Sequence, residues 1–268
     1  MILRTEYGWG EPNTNPGDLI VELGARRLAM RLGIDLDAAD TVYLIGTPWF
    51  WKGCWASQKY DWLRAAHAMH ADKRWVAIGV GSCFALEERA DEAICRDGTL
   101  LQAAAWWREN IHGVITRDQR ATAILRPSTA MTLPCPSLWS AFDVPDPVPG
   151  RVLAVTCDPW HAECVPPAAG WLNETNFQVG YGRRAWSEGD IALLLLDVLS
   201  GERIISQRIH CALPAAPWRP VRVVPMDGRV ATTRNVGLPD EPGAWSNPDA
   251  VRALMNQAEL RYRQLLCG

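Results

Sequence analysis

The sequence predicts an α/β protein in which helices cover a parallel, doubly wound sheet. Short apolar runs, most of which end in glycine or in charged residues, alternate along the chain with segments of helical apolar spacing, as is typical of parallel sheets. A proline-rich stretch at residues 144–150 can form neither a helix nor a central strand. We therefore expect two domains, residues 1–143 and residues 151–268, joined by that stretch.

In the first domain, apolar runs predict strands at residues 2–7, 41–46, 75–82, 112–118 and 132–139. Helical spacing predicts helices at residues 19–32, 60–70, 87–110 and 119–125. In the second domain, strands are predicted at residues 151–157, 177–181, 203–205 and 221–225, and helices at residues 188–199 and 247–266. The last helix has Pro248 at its start, where proline fits without a missing hydrogen bond.

The composition is that of an ordinary globular protein and excludes several classes of function. Hydrophobic residues make up 48% of the 268 positions and charged residues 21%. The net charge of −3 is not the basic footprint of a nucleic-acid-binding protein. No apolar run approaches the ~20 residues of a membrane helix, and the polar N-terminus is not a secretory signal. We expect a cytoplasmic protein without a transmembrane segment or a nucleic-acid partner.

Cysteine and glycine patterns exclude the common metal and cofactor sites. The eight cysteines and five histidines are dispersed, and no Cys-x-x-Cys pair occurs, so we predict no metal site. The Gly-x-Gly turn at residues 79–81 lacks the third glycine of the dinucleotide fingerprint and the acidic residue about 20 positions later. We accordingly reject a nicotinamide cofactor.

Two loops of the first domain carry candidate ligand contacts. Asn15-Pro16-Gly17-Asp18 opens the first helix, where free backbone N–H groups can face a ligand. An ordinary helix capped by Asp18 fits the same residues. After the strand that ends at Gly46, the loop at residues 47–55 contains Trp49 and Trp51. Its aromatic side chains either form a stacking wall for a sugar ring or pack beneath a long loop.

Arg208 and His210 follow the predicted strand 203–205, at the edge where open α/β sheets bind ligands. If extended geometry persists through Ile209, both side chains project to the same side. An arginine fork beside a histidine suits an anionic substrate that also needs a proton moved. The alternative is a surface arginine and a hydrogen-bonded structural histidine.

Short motifs in a fixed order resemble the polysaccharide pyruvyl transferase family. The matching residues are Asn15-Pro16-Gly17-Asp18, Gly46, Gly79-Val80-Gly81, Arg117-Asp118, Cys135-Pro136-Ser137 and Ser206-Gln207-Arg208-Ile209-His210. The resemblance spans nearly the whole chain and implies a GT-B-like fold of two Rossmann-like halves with a terminal helix. After His210 the sequence departs from the family, because Pro214 and Pro217 shorten or distort any helix there.

The resemblance implies a transferase that moves a pyruvyl group from phosphoenolpyruvate to a sugar or glycan hydroxyl, with no cofactor beyond this donor. The family's Arg-x-His element maps onto Arg208 and His210, and its Arg-Asp tip onto Arg117. We expect His210 to be the acid, which a nearby carboxylate would help to keep protonated, while Arg208 and Arg117 hold the anion. The remaining expected substrate contacts are Asn15, Gly17, Asp18, Gly46, Gly81, Ser206, Trp49 and Trp51.

Two other functions fit the same residues. A glycosyltransferase of this architecture would use a nucleotide sugar and commonly needs a carboxylate soon after the site strand, yet Asp227 is the nearest one after His210. A non-catalytic anion- or sugar-binding protein is favoured by the proline-rich segment after His210. The presence of both Arg208 and His210 favours an enzyme. The sequence makes no prediction of the oligomeric state.

Overall fold

The computed structural model describes residues 1–3, 16–38, 40–46, 48–85, 88–144, 149–156, 186–224 and 228–267, with the backbone alone for residues 95, 96 and 151–156. The strands are β1 (Ile2–Leu3), β2 (Thr41–Ile45), β3 (Pro48–Phe50), β4 (Arg74–Ser82), β5 (Gly113–Thr116), β6 (Met131–Thr132), β7 (Arg151–Thr156), β8 (Gly201–Ser206) and β9 (Val221–Val223). The helices are α1 (Pro16–Leu32), α2 (Gln58–Met69), α3 (Ala90–Arg96), α4 (Gly98–Asn110), α5 (Gln119–Ile124), α6 (Glu188–Leu199), α7 (Ile209–Ala215), α8 (Val230–Arg234) and α9 (Pro248–Cys267). Short 3-10 turns lie at Cys54–Ala56 and Pro136–Trp139.

The first sheet is parallel and has the strand order β1-β2-β4-β5-β6, with β3 paired to the end of β4. β2 and β4 are buried almost throughout, as expected for central strands covered on both faces. The register pairs Phe50 with Ser82 and Val80 with Thr116, so the carboxyl ends of β3, β4 and β5 lie side by side. We call the edge formed by these three strand ends the carboxyl edge. The α/β class is confirmed.

The second sheet is also parallel and has the order β7-β8-β9. α6 begins with a capping box between Ser187 and Asp190 and leads into β8. β8 ends at Ser206, and α7 begins three positions later in the chain, at Ile209. α7 has only 7 residues and contains Pro214, so the helix is short, as the prolines predicted.

One hydrophobic core runs through both predicted domains. It includes residues of α1, the 3-10 turn Pro136–Trp139, α6, β8 and α9. The terminal helix α9 packs on the first domain: Glu259 accepts a hydrogen bond from Trp139 Nε1 at 2.9 Å, and Tyr262 Oη donates to Pro134 O at 2.7 Å. The predicted boundary lies between the two sheets, but the sheets share this core.

The helix predicted at residues 87–110 is interrupted. Asp97 is extended between α3 and α4, and its carboxylate accepts a hydrogen bond from Thr99 N at 2.9 Å. This cap starts a new helix, which apolar spacing alone does not reveal. Among the described residues, no helix combines the length and apolar character needed to cross a membrane.

Two further predicted segments near the carboxyl edge differ in the structure. The strand predicted at residues 132–139 ends at Thr132, and Pro136–Trp139 forms a 3-10 turn because proline cannot donate to a strand ladder. The loop predicted at residues 47–55 contains the short strand β3. Residues 4–7 and 177–181, which were predicted as strands, lie outside the described residues.

Candidate functional site

Arg117 lies at the carboxyl edge, directly after β5, with only 1% of its surface exposed. Its backbone N–H donates to Val80 O at 2.8 Å, and its carbonyl accepts from Asn235 Nδ2 at 2.9 Å. The guanidinium lies against Gly81, where an added Cβ would be 2.9 Å from Arg117 Cζ. Gly81, a predicted site residue, therefore provides the space that the guanidinium occupies.

Asp118, the other half of the charged tip, has a structural role. Its Oδ2 accepts from Ser82 N, and its Oδ1 accepts from Ser82 Oγ and from Ala121 N, all at 2.8 Å. These bonds tie the end of β4 to the start of α5. They also hold the Asp118 carboxylate against Ser82 and Ala121. Of the two charged side chains in this tip, only that of Arg117 therefore belongs to the candidate site.

A hydrogen bond joins Arg117 to His210 of the second domain, with 3.2 Å between Arg117 Nη1 and His210 Nε2. A guanidinium can only donate, so Nε2 must be the acceptor. His210 is therefore neutral in the ligand-free protein and carries its proton on Nδ1. The contact brings two predicted site residues together, although 93 positions separate them in the chain.

The environment of His210 opposes the protonated form. Burial and the positive charges of Arg117 and Arg229 hold the pKa of His210 well below its ordinary value. The carboxylate that we expected to keep His210 protonated is not among the described groups that act on its pKa. Among the described residues, two arginines and no carboxylate act on this ring, and the role of His210 as the acid stays a prediction.

Two donors of Arg117 remain unused. Its Nε and Nη2 are buried and have no hydrogen-bond partner among the described residues. An unpaired buried donor costs roughly 1–3 kcal/mol, and more when the group is charged. Proteins rarely keep such groups unless a ligand, an ion or a water molecule satisfies them, and a carboxylate or phosphate matches the geometry of a guanidinium.

Lys59 is a part of this site that the sequence did not reveal. Its Nζ donates to Pro48 O at 3.0 Å and lies 4.2 Å from the centre of the Trp49 ring. Burial and the nearby Arg117 lower the pKa of Lys59 to about 8, while Asp18 acts in the opposite direction. Arg117 and Asp18 are therefore both close enough to act on the Lys59 ammonium.

A turn of the second domain adds Arg229. Gly228 N donates to Phe84 O at 2.9 Å, and an added Cβ at Gly228 would be 2.7 Å from the same carbonyl. The turn therefore packs directly on the segment after β4 and places Arg229 close enough to act on His210. One sequence signal could have found both residues: Lys59 lies in the first turn of α2 and Arg229 directly precedes α8, and helix starts can lie near ligands.

Arg208 and His210 are not arranged as an extended strand would arrange them. Arg208 is the residue before α7, and His210 lies in the first turn of that helix, so the expectation of alternating strand geometry is wrong. Ser206 is fully buried, and its hydroxyl donates to Arg208 O at 2.8 Å and accepts from Arg208 N at 3.1 Å. Ser206 thus shapes the turn, and the role of the Arg208 side chain stays a prediction.

The aromatic loop does not form an exposed wall at Trp49. The Trp49 ring is fully buried and packs against Tyr60, Trp107 and the Lys59 ammonium. This agrees with the alternative of packing beneath the loop. Trp51 is half-buried, and its contact with a ligand stays a prediction.

Gly46 and the start of α1 explain how the helix reaches the sheet. Gly46 has φ +75°, and an added Cβ would lie 3.1 Å from Val21 Cγ1, so glycine here lets α1 approach. Gly17 is buried and Asp18 half-buried in the first turn of α1. Asn15 lies outside the described residues, and the ligand contacts of these four positions stay predictions.

The ligand-free protein is expected to lose stability as the pH falls below about 6.5, the unfolded value of histidine. The pKa of folded His210 lies lower, so in this window the unfolded chain binds a proton that the folded protein does not. The loss from this one group approaches about 1.4 kcal/mol per pH unit. Urea unfolding of the wild type and His210→Gln between pH 7.5 and 5 checks this, because the variant should lack that slope. Equal slopes would contradict it.

No family model matches the sequence, and no curated protein matches it. Among solved structures, a functionally uncharacterised protein of Klebsiella pneumoniae aligns with 10% sequence identity and a TM-score of 0.48, over 91% of this chain and 86% of that one. These comparisons assign no activity. The fold and the site together define an α/β protein with a buried cationic site between its two sheets.

Proposed function

We propose that this protein is a transferase that moves the pyruvyl group of phosphoenolpyruvate onto hydroxyls of a sugar or glycan. The observation that carries the proposal is the Arg117 guanidinium, whose Nε and Nη2 are buried without hydrogen-bond partners among the described residues while Nη1 donates to His210. Such a group suits a small anion, and the neighbouring imidazole can move a proton next to it.

Several features support the donor as a compact anion. Arg117, Arg229 and Lys59 supply positive charge around His210 and the carboxyl edge. Phosphoenolpyruvate carries a carboxylate and a phosphate, each of which matches a planar, permanently charged arginine fork. We assign Arg208, the residue before α7, to the same donor and Trp51 to the acceptor, whereas Asn15, Gly17 and Asp18 contact either the donor or the acceptor.

In the proposed reaction, the bound anion raises the pKa of His210, so the imidazole takes up a proton. His210 then delivers this proton to the methylene carbon, and the electrons of the carbon–carbon double bond form the new C–H bond. A sugar hydroxyl oxygen bonds to the neighbouring carbon and passes its proton to the His210 imidazole, which the first transfer left neutral. The bond from that carbon to the phosphate oxygen then breaks, a second hydroxyl oxygen bonds to the same carbon to close the ketal, and the proton of that hydroxyl leaves with the departing phosphate.

The proposal includes a GT-B-like arrangement of two Rossmann-like halves. Its support is that both sheets are parallel and that Arg117 and His210 follow the carboxyl ends of β5 and β8, where open α/β sheets bind ligands. An enzyme that consumes phosphoenolpyruvate is expected in the cytoplasm, where this metabolite forms.

Thermal unfolding with added ligands tests the proposal. Phosphoenolpyruvate at 100 times its Kd is expected to stabilise the protein by about 2.7 kcal/mol, whereas uridine and guanosine diphosphate sugars should have no effect. Stabilisation by a nucleotide sugar alone would identify a glycosyltransferase instead. Stabilisation by phosphoenolpyruvate without phosphate release, across a panel of sugar acceptors, would indicate a non-catalytic anion-binding protein.

A further inference from the structure

We propose that Lys59 is a second anchor of the site and that the ligand therefore carries two acidic groups, one held by Arg117 and the other by Lys59. This inference deepens the proposed function and rests on it for the identity of the ligand. A small molecule with a phosphate and a carboxylate belongs to this class, whereas a singly acidic molecule does not.

The backbone places the two cationic groups side by side. Lys59 Nζ donates to Pro48 O at 3.0 Å, and Pro48 is the register partner of Gly81 across the β3–β4 ladder. The Arg117 guanidinium lies against Gly81 itself. The ammonium and the guanidinium therefore contact register partners on adjacent strands, and neighbouring strands lie about 4.8 Å apart. A compact ligand with two acidic groups can reach both residues.

Packing also fixes the direction of the Lys59 side chain. Its Nζ lies 4.2 Å from the centre of the Trp49 ring and 5.5 Å from that of Trp51, so the ammonium rests between two indoles. Trp49 is fully buried, and the side chain cannot turn away from the site without losing these contacts. A lysine that is already ordered loses less conformational entropy when it binds an anion.

The charges around Lys59 favour a ligand with more than one negative charge. Lys59 and Arg117 repel each other, and Asp18 is the described carboxylate that offsets them. Burial and this repulsion lower the pKa of Lys59 to about 8, and the nearby Cys54 thiol acts in the opposite direction, as Asp18 does. Asp18 offsets only part of this positive charge, so a ligand that brings an acidic group to each cation is favoured over a ligand that reaches one of them.

Calorimetric titration with simple anions tests the assignment on the intact chain. Phosphoenolpyruvate and phosphonoacetate each have two acidic groups, and methylphosphonate and acetate have one. Lys59→Met is expected to weaken both two-headed anions about tenfold or more. Methylphosphonate and acetate should each depend on one of the two cations. Lys59→Met should therefore weaken the binding of one of these anions, and Arg117→Met should weaken the binding of the other. Lys52→Met, at an exposed lysine of the turn before Cys54–Ala56, is the control and should change nothing.

The pH dependence provides a second readout. Wild-type affinity for phosphonoacetate should fall above about pH 8, where Lys59 loses its proton, and Lys59→Met should lack this fall. The inference is overturned if Lys59→Met leaves the affinity for phosphoenolpyruvate and phosphonoacetate unchanged. It is also overturned if Lys59→Met weakens the binding of all four anions equally, as the loss of one positive charge anywhere near the site would. If the wild type binds phosphonoacetate in a Lys59-dependent way but not phosphoenolpyruvate, the two-anchor inference stands and the proposed function fails.

Discussion

Replacing His210 with glutamine is expected to lower turnover by roughly 10²–10⁴-fold, the usual contribution of a general acid. Glutamine can still accept the hydrogen bond from Arg117 Nη1 through its side-chain oxygen, but it cannot carry a proton to the methylene carbon. Binding of phosphoenolpyruvate should therefore change much less than turnover. Steady-state kinetics of phosphate release, together with calorimetric Kd values for the donor, separate the two effects.

The control for this variant is His70→Gln. His70 ends α2, away from the carboxyl edge, and the substitution should leave turnover and donor binding unchanged. Equal losses of turnover and donor binding in His210→Gln would refute the assignment of His210 as the acid. Unchanged turnover would show that proton transfer does not depend on this ring.

Much of the fold could be predicted because it depends on local patterns. The apolar runs at β2, β4 and β7 and the helical spacing of α6 and α9 specify elements without reference to the rest of the chain. The wrong predictions of helix and strand bounds also have local causes, but each cause is a single residue rather than a pattern. Asp97 starts a new helix by capping it, and a proline at position 136 begins a 3-10 turn where a strand was predicted.

The candidate site could be predicted only in part, because its central contact is not local. Arg117 and His210 were named from separate motifs, but nothing in either motif shows that Nη1 and Nε2 meet at 3.2 Å. The charge state of His210 followed from neighbours that the sequence does not place beside it, including Arg229. Lys59 was missed because its position depends on how β3 pairs with β4.

Replacing Arg117 with methionine is expected to weaken donor binding at least about 100-fold while leaving the protein at least as stable. In the wild type, the buried guanidinium has two nitrogens without partners among the described residues, and this arrangement costs folding free energy that methionine, of similar length, does not. Loss of two charge-assisted hydrogen bonds to the anion should weaken binding by about 3 kcal/mol or more, or at least about 100-fold. Calorimetry with phosphoenolpyruvate and urea unfolding without ligand measure the two effects on the same preparation.

A ligand-binding arginine and a structural arginine give opposite results in this variant. If Arg117 binds a ligand, Arg117→Met should stabilise the protein and weaken anion binding. If Arg117 is structural, its partners already stabilise the fold, and its replacement should lower the free energy of unfolding. Arg108→Met is the matched control: Arg108 is exposed on α4 and donates to Arg126 O at 2.9 Å, so its replacement should change neither quantity appreciably. If Arg117→Met instead lowers stability and leaves donor binding unchanged, Arg117 serves the contact between the two sheets. The anion would then have to bind elsewhere on the chain.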